Sequence, residues 1–512
     1  MKAGRSAQAA RTPATPAPPW AEIAIVLACV AFALWVQRRA LGGFFSLDDL
    51  VIIEEVRGLR EATPGLWRLL SRYLYFGAAV PLFGSNPFPY HLVSALLHGA
   101  NVALLYLFVR RRSGGVLAGV VAAGLFGTSR LHLTAIGSAA TIGEPLALGF
   151  TLGALLLHDR GRLARLVAPV LMLFALFSKE SVALLPAVLL LPHPAGGPLR
   201  ERLRLALPLL IVGAVFASGL LASGAGATHL GGQAYAQALG PNLFLNLMTY
   251  TRWAVDMGDP FPGLVSAIAS DAWPAGAAAT VLLGILAWLA RRAALPPALG
   301  VSWWLLALLP VLPLLHHSYL YYLYVPMAGI AMVAAGMAGW AERWAVARSG
   351  RPGDRRGAGT ARSRGAPGAA TRQARTGVFP AIIRSLVIAL VMVHGVHADR
   401  LLAGRYAARM GGTGIALDPD LRKSEIARHA SQAVGKRLSG RPGRVAFLLP
   451  AGLEEVYSTA TGELREAASD SGSYSMIAGA LDDGRGLRAL HANVDSVVFL
   501  RGWSAGHGDF EL

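Results

Sequence analysis

The stretch Phe44-Phe-Ser-Leu-Asp-Asp-Leu-Val-Ile-Ile-Glu-Glu55 directly follows the first long apolar segment of the chain, Ala21 to Val36. It therefore places two adjacent carboxylates, Asp48 and Asp49, at a membrane surface. Ionisable groups are costly beside a bilayer and are usually retained for a function. The acidic pair is thus the first candidate for a functional site.

The composition is that of a membrane protein. Of 512 residues, 54% are hydrophobic and 15% are charged, and the mean hydropathy is +0.48. A single soluble core stops growing near about 250–300 residues, so a soluble chain does not need this apolar content. Repeated apolar runs predict an α-helical polytopic membrane protein with about eleven transmembrane helices. The predicted spans are Ala21–Val36, Tyr90–Val109, Val116–Thr128, Ala135–Leu157, Val167–Phe177, Ser181–Leu191, Leu205–Ala222, Gly276–Ala290, Ala298–Leu315, Tyr321–Trp340 and Phe379–Val396.

The formal net charge of +18 has two explanations, a nucleic-acid surface or arginine-rich loops on one side of a membrane. Counted from a cytoplasmic N-terminus, alternate loops carry the arginine, which satisfies the positive-inside rule and predicts no nucleic-acid partner. Arg38 and Arg39 are the exception. The acidic stretch, the Ser178-Lys179-Glu180 turn and His316-His317 then share the outer face. We expect a multi-pass protein of the cell inner membrane.

The chain divides by composition into five segments. We predict a disordered cytoplasmic tail over 1–20, a transmembrane domain over 21–340, a basic disordered cytoplasmic linker over 341–378, a last transmembrane helix over 379–398, and a small soluble α/β domain over 399–512. The last assignment rests on a helical stretch, Leu421–Leu438, between the last span and two apolar runs of strand length. An odd number of spans puts this domain outside. The single cysteine excludes an intrachain disulfide.

The acidic pair allows several chemistries. Two adjacent carboxylates can hold a divalent cation such as Mg²⁺ or Mn²⁺, or one of them can deprotonate a hydroxyl as a general base. An aspartate at the start of a helix is also a favourable cap, which leaves a structural role open. The amphipathic segment Pro64–Phe76 that follows predicts an interfacial helix, with Arg68 and Arg72 in reach of lipid phosphate.

Four later motifs accompany the acidic pair in order. They are Leu82-Phe-Gly-Ser-Asn-Pro-Phe-Pro-Tyr-His-Leu-Val-Ser-Ala-Leu-Leu-His98, Leu125-Phe-Gly-Thr-Ser-Arg-Leu-His132, Phe174-Ala-Leu-Phe-Ser-Lys-Glu-Ser181 and His317-Ser-Tyr-Leu-Tyr-Tyr-Leu-Tyr-Val-Pro326. Together they resemble the polytopic GT-C class of glycosyltransferases, in the branch of the protein O-mannosyltransferases and the transmembrane-and-tetratricopeptide O-mannosyltransferases. The tetratricopeptide repeats are absent from this sequence.

The resemblance implies a GT-C-like transmembrane catalytic domain. Such an enzyme moves a sugar, with inversion, from a polyprenyl-phosphate donor to an acceptor hydroxyl on a protein or glycan at the outer face. In that class an acid of the first outer loop is the catalytic base, and the resemblance implies this role for Asp48 or Asp49. We favour Asp48 as the base, with Asp49 orienting the acceptor or a metal ion. The developing phosphate charge requires fixed cations. The implied substrate- or phosphate-binding residues are Arg72, Arg130, His132, Lys179, Glu180, His317 and Tyr319. A structural ion pair with Glu180 is the alternative for Lys179, and a packed side chain is the alternative for His132, His317 and Tyr319.

The sequence departs from the family pattern at two places. The usual Arg-Pro-Leu after the interfacial helix has no match, because Tyr73 follows Arg72. The loop around His132 has Arg130 and Thr134 where the family often has proline and glutamate. A transporter or flippase for lipid-linked or anionic solutes is the alternative, although such proteins place ionisable residues near the midplane and often show two similar halves. A non-catalytic membrane scaffold is a third possibility.

Overall fold

The computed structural model describes residues 19–61, 66–113, 115–191, 197–222, 236–256, 258, 273–289, 297–315, 318–349, 368–409, 414–450, 455–457, 464–466 and 476–503. Within these ranges six helices are long and apolar enough to cross a membrane, or seven if the bent pair Val116–Gly127 and Arg130–Gly137 forms one span. The prediction of an α-helical polytopic membrane protein is confirmed. Some predicted spans, such as Ser181–Leu191 and Ala298–Leu315, correspond to apolar helices of at most 17 residues.

The described elements alternate between long helices and short helical turns. In chain order the helices are α1 Pro19–Gln37, α2 Leu47–Val56, α3 Tyr75–Phe83, α4 Pro87–Ser113, α5 Val116–Gly127, α6 Leu133–Gly137, α7 Gly143–Leu157, α8 Arg162–Ser178, α9 Leu199–Ala222, α10 Pro241–Val255, α11 Trp273–Leu289, α12 Pro297–Leu308, α13 Tyr324–Ser349, α14 Gly368–Ala407, α15 Pro419–Leu438, α16 Met476–Ala480 and α17 Arg485–Leu490. The strands are β1 Gly443–Pro450, β2 Glu455–Tyr457, β3 Leu464–Glu466 and β4 Val494–Trp503.

The main core lies between the long helices. Helix α4 packs against α1, α5 and α7, and α13 packs against α5 and α12. Large side chains such as Tyr106, Phe126 and Trp303 are fully buried there. The indole Nε1 of Trp303 donates a 2.9 Å hydrogen bond to the carbonyl of Val325, which satisfies the one polar atom of that ring. This bundle is the rigid support for the loops at its end.

The C-terminal region combines helices with a parallel strand pair. Strands β1 and β4 run parallel, with Phe447 opposite Phe499, and α16 and α17 lie between them in the chain. Parallel strands require a crossover of this kind. Strands β2 and β3 form a separate antiparallel pair. The described elements therefore have the mixed composition that the sequence predicts for 399–512, and that segment remains a predicted domain.

The C-terminal region packs directly on the acidic stretch. Leu50 and Ile53 of α2 share a buried apolar cluster with Leu487 and Leu490 of α17. The Ser424 hydroxyl donates to the carbonyl of Phe44 at 3.0 Å and accepts from its backbone N–H at 2.9 Å. The start of α15 is thereby fixed beside the start of α2, and a cleft forms between them.

Helices extend into both ends of the segment predicted as a disordered linker, 341–378. Helix α13 continues to Ser349 and α14 begins at Gly368. The residues between them lie outside the described ranges, as does most of the predicted N-terminal tail. At the other end of α14, Asp399 pairs with Arg38 at 2.7 Å and with Arg39. The two arginines that depart from the loop charge pattern therefore join the first span to the last described one.

Candidate active site

Asp49 is a fully buried carboxylate with four hydrogen bonds. Its Oδ2 accepts hydrogen bonds from the backbone N–H and the hydroxyl of Ser46, at 2.7 and 3.1 Å. Its Oδ1 accepts from the Ser138 hydroxyl at 2.9 Å and from the Ala140 N–H at 2.6 Å. Ser46 and Asp49 form a capping box at the start of α2. Burial raises the pKa of Asp49, and these hydrogen bonds act in the opposite direction.

Asp48 has the opposite environment. It is exposed and lines a cleft of about 230 Å³ at the start of α2. Tyr319 and Tyr321 line the same cleft, and their rings stack with centroids 5.4 Å apart. The cleft is also bordered by Thr134 and the loop that follows it. Two motifs that are far apart in the sequence therefore meet in one cavity.

The start of α15 forms the remaining wall of the cleft, which the sequence did not predict. Asp418, Asp420 and Lys423 all line it. Asp418 caps the helix by accepting from the N–H groups of Asp420 and Leu421, both at 3.0 Å, and it pairs with Arg405. The carboxylate of Asp420 accepts a 3.1 Å hydrogen bond from the Thr134 hydroxyl. Lys423 is exposed and adds a cation to the cleft.

The sequence carries a signal for this helix but not for its place. Asp418-Pro419 is a typical N-cap followed by proline at the first helical position, and it could have predicted where α15 begins. No local pattern indicates that this helix start lies beside Asp48, because the contact depends on how the C-terminal region docks.

Lys179 lies behind the tyrosines in a buried ion pair. Its Nζ is 3.0 Å from Glu144 Oε1, and both side chains are almost fully buried, with 6% and 2% exposed. The same Nζ lies 5.2 Å from the ring centroid of Tyr321 and 5.3 Å from that of Tyr322, within cation–π range. Of these two rings, that of Tyr321 lines the cleft, so Lys179 contacts part of the cleft wall.

Close backbone packing fixes the ion pair in place. Gly143 at the start of α7 faces the last residue of α8, because a Cβ at Gly143 would lie only 2.6 Å from the carbonyl oxygen of Ser178. The Ser71 hydroxyl donates to the same carbonyl at 2.8 Å. Glu144 and Lys179 follow these two residues directly and are held opposite each other.

Two further arginines form bidentate ion pairs, and the first of them, Arg68, lies close enough to act on the Glu144 charge. Arg68 makes a bidentate contact with Glu180, with both hydrogen bonds at 2.9 Å. Arg72 donates to both carboxylate oxygens of Glu55, at 2.9 and 2.5 Å. Bidentate pairing of this kind fixes both side chains. In the structure, Arg72 and Glu180 are thus parts of a preorganised charge network.

Arg130 and His132 lie deeper in the bundle. Arg130 is 5% exposed and donates to the backbone carbonyl of Asp256. His132 is fully buried among aromatic rings, with its ring centroid 4.6 Å from those of Phe126 and Tyr324. His317 lies outside the described residues. Arg130, Lys179 and His132 are not among the described residues that line the cleft.

The part of the chain that the structure describes contains no recognisable metal centre. Among the described residues no group of three or more His, Cys, Asp or Glu side chains could hold a metal ion. Both oxygens of Asp49 already accept two hydrogen bonds each. We therefore assign no metal-dependent step to the acidic pair.

Comparison with solved structures includes a distant likeness to a membrane protein of known structure. The crystal structure of ArnT from Cupriavidus metallidurans bound to undecaprenyl phosphate matches with 15% sequence identity, coverage of 83% of each chain and a TM-score of 0.43. No family model matches the sequence, and no curated protein matches it.

Proposed function

We propose that this chain is an integral-membrane glycosyltransferase of GT-C type that moves a sugar from a polyprenyl-phosphate donor to an acceptor hydroxyl. The observation that carries the proposal is the cleft that brings Asp48 together with Tyr319 and Tyr321. Asp48 belongs to the first, and the two tyrosines belong to the last, of the sequence motifs that resemble this class. A shared cavity is what a common active site requires.

Asp48 acts as the general base in this proposal. The acceptor hydroxyl loses its proton to the Asp48 carboxylate as its oxygen attacks the anomeric carbon of the donor. The bond from that carbon to the phosphate oxygen breaks, and the polyprenyl phosphate leaves as an anion. A single displacement of this kind inverts the anomeric configuration. An exposed carboxylate at a cavity wall can reach the acceptor, whereas the buried Asp49 cannot.

The leaving phosphate is stabilised by fixed positive charge. Lys423 supplies a cation at the cleft wall, and the Asp418 charge beside it is compensated by Arg405. Lys179 acts indirectly, since it contacts the rings of Tyr321 and Tyr322 rather than the cavity. It positions the aromatic wall along which the donor lies. A preorganised wall of this kind costs little reorganisation during the reaction.

The arginine distribution of the loops supports an orientation for the site. With the N-terminus in the cytoplasm, the cleft and the C-terminal region lie on the extracytoplasmic face of the inner membrane. Lipid-linked sugars and secreted protein or glycan acceptors meet at that face. The donor enters from the bilayer, and the acceptor enters from the aqueous side.

A transfer assay tests the proposal. Purified protein is incubated with polyprenyl-phosphate sugars and envelope extracts, and wild type is compared with Asp48→Asn and with Glu61→Gln, an exposed carboxylate of the same region. General-base catalysis contributes about 10²- to 10⁴-fold, so Asp48→Asn should lose at least about 100-fold in turnover. Glu61→Gln should retain wild-type turnover.

Full turnover by the Asp48→Asn variant would exclude the mechanism. Movement of labelled lipid-linked sugar across liposomes by wild type and variant alike, without transfer to any acceptor, would favour the transporter alternative.

A further inference from the structure

A second cavity lies at the other end of the bundle. Helix α4 has 27 residues and is about 40 Å long. Tyr90, near its start, packs in the cluster beneath the C-terminal region, whereas Phe108, Arg111 and Arg112 near its end line a separate pocket of about 440 Å³. The pocket is therefore distinct from the cleft that contains Asp48.

Positive charge dominates the pocket. Four arginines line it, and two acids, Asp159 and Glu201, accompany them. Arg111 donates to the Leu156 carbonyl at 2.6 Å and to Asp159 at 2.5 Å, so one arginine and one acid are paired with each other. The arginines come from three different helices, which converge at this end: Arg111, Arg112, Arg165 and Arg202. An anion in the pocket would be surrounded on several sides.

The surface around the pocket is apolar. In the first turns of α8 and α9, Leu163 is 75% exposed, Leu166 is 72% exposed and Leu199 is 58% exposed. These leucines alternate with arginines on the same helix starts. A soluble protein does not display such a surface, but the boundary between headgroups and acyl chains matches it. The pocket walls are also partly apolar, with Phe108 and Leu205 among the lining side chains.

We propose that this pocket binds the phosphate headgroup of an anionic phospholipid of the surrounding bilayer. The arginines contact the phosphate, while the acyl chains lie along the exposed leucines of α8 and α9. Basic pockets between transmembrane helices favour such headgroups, and arginine is suited to phosphate because its planar group donates two parallel hydrogen bonds. By the predicted orientation the lipid belongs to the cytoplasmic leaflet.

The test measures lipid binding to the intact protein. Delipidated protein in neutral detergent is titrated with phosphatidylglycerol, and bound lipid is counted by native mass spectrometry. The double variant Arg165→Gln/Arg202→Gln removes two lining cations. Each cation near an anionic lipid is worth about fivefold in affinity, so the double variant should bind about 25-fold more weakly. Phosphatidylcholine should bind more weakly than phosphatidylglycerol to wild type.

The chain offers a matched control on the same helix starts. Arg162→Gln/Arg204→Gln removes two exposed arginines that do not line the pocket. It should keep wild-type affinity, and equal losses in the two double variants would overturn the proposal in favour of a diffuse charge effect. Arg165→Gln alone, at an exposed side chain, should still bind about fivefold more weakly if the double variant folds poorly.

Inorganic phosphate distinguishes the lipid from a soluble anion. Millimolar phosphate should neither displace the bound phosphatidylglycerol nor raise the midpoint of thermal unfolding. Displacement at those concentrations would assign the pocket to a free phosphate group and overturn the lipid proposal.

Discussion

The two ends of the bundle use charge in different ways. Around the Asp48 cleft, Asp48 and Lys423 are exposed, but the charged side chains that support them are paired and buried, as in Lys179–Glu144 and Arg405–Asp418. At the opposite end, arginines such as Arg165 are exposed at helix starts. Buried pairs are costly to form and costly to break, whereas exposed charges contribute little to stability. The first arrangement holds a site rigidly, and the second lets ligands exchange with the surroundings.

The largest expected effect comes from breaking the buried pair. Lys179→Met leaves the Glu144 carboxylate buried without its cation, which should lower the free energy of unfolding by about 3–5 kcal/mol. Chemical denaturation of the purified protein in detergent measures this change. Arg165→Gln at the other end is the matched control and should change stability by less than about 0.5 kcal/mol.

The double variant Lys179→Met/Glu144→Gln checks the explanation. It removes both charges and should recover at least half of the lost stability. If the Lys179→Met variant were as stable as wild type, the ion pair would not stabilise this end of the bundle.

The pH dependence of stability provides the next test. Glu54 is buried beside Asp482 and Arg60, and burial together with the Asp482 charge raises its pKa from 4.5 to about 7. Between these values the folded state keeps a proton that the unfolded state has lost. The Glu54 contribution to stability is therefore complete below pH 4.5, falls as the pH rises to about 7, and is constant above that.

Unfolding measured from pH 4.5 to 8 should therefore show wild type losing stability relative to Glu54→Gln, whose side chain cannot titrate. Parallel pH profiles for the two proteins would contradict the raised pKa.

Asp49 tests whether adjacent carboxylates have separate roles. Asp49 accepts hydrogen bonds from four donors, and the NH₂ group of an asparagine would face two of them. Asp49→Asn should therefore cost about 1–3 kcal/mol of stability. Its folded fraction should keep turnover within about threefold of wild type, in contrast to Asp48→Asn. A 100-fold loss of turnover without destabilisation would reverse the two roles.

The sequence predicts much of the architecture because apolar runs of membrane-spanning length can be recognised directly in it. It also contains the local reason for the hydrogen bonds between Ser46 and Asp49, since Ser46-Leu-Asp-Asp49 has the spacing of a capping box. What the sequence does not indicate is that the Asp49 side chain is buried. Asp49 is buried by Ser138 and Ala140, which come from a distant loop. Composition around the pair gives no sign of that contact.

The cleft itself could not be predicted for a similar reason. The arginine distribution of the loops predicts that Asp48, Lys179 and Tyr319 share the outer face, and the structure brings Asp48 and Tyr319 into one cavity. It places Lys179 behind the cavity wall and supplies Lys423 instead. The presence of Lys423 in the cleft depends on the docking of α15 against α2. Tertiary contacts such as the hydrogen bonds between Ser424 and Phe44 set that docking.

The smallest expected effect is that of replacing Lys423, the exposed cation at the wall of the Asp48 cleft. Lys423→Gln removes the exposed cation of the cleft wall while keeping a side chain of similar length. If this cation stabilises the leaving phosphate, kcat/KM should fall about tenfold, or about 1.4 kcal/mol of transition-state stabilisation, with no change in unfolding. Lys436→Gln, an exposed lysine near the other end of the same helix, should leave both quantities unchanged.

The distribution of the loss between kcat and KM identifies the role of Lys423. A fall in kcat with KM unchanged means that the lysine acts on the charge that develops as the phosphate leaves. A rise in KM alone means that Lys423 contributes to donor binding but does not stabilise the charge that develops in the transition state. Wild-type kinetics in Lys423→Gln would mean that the cation for the phosphate must be supplied by another group at the cleft, and the assignment of Lys423 would be wrong.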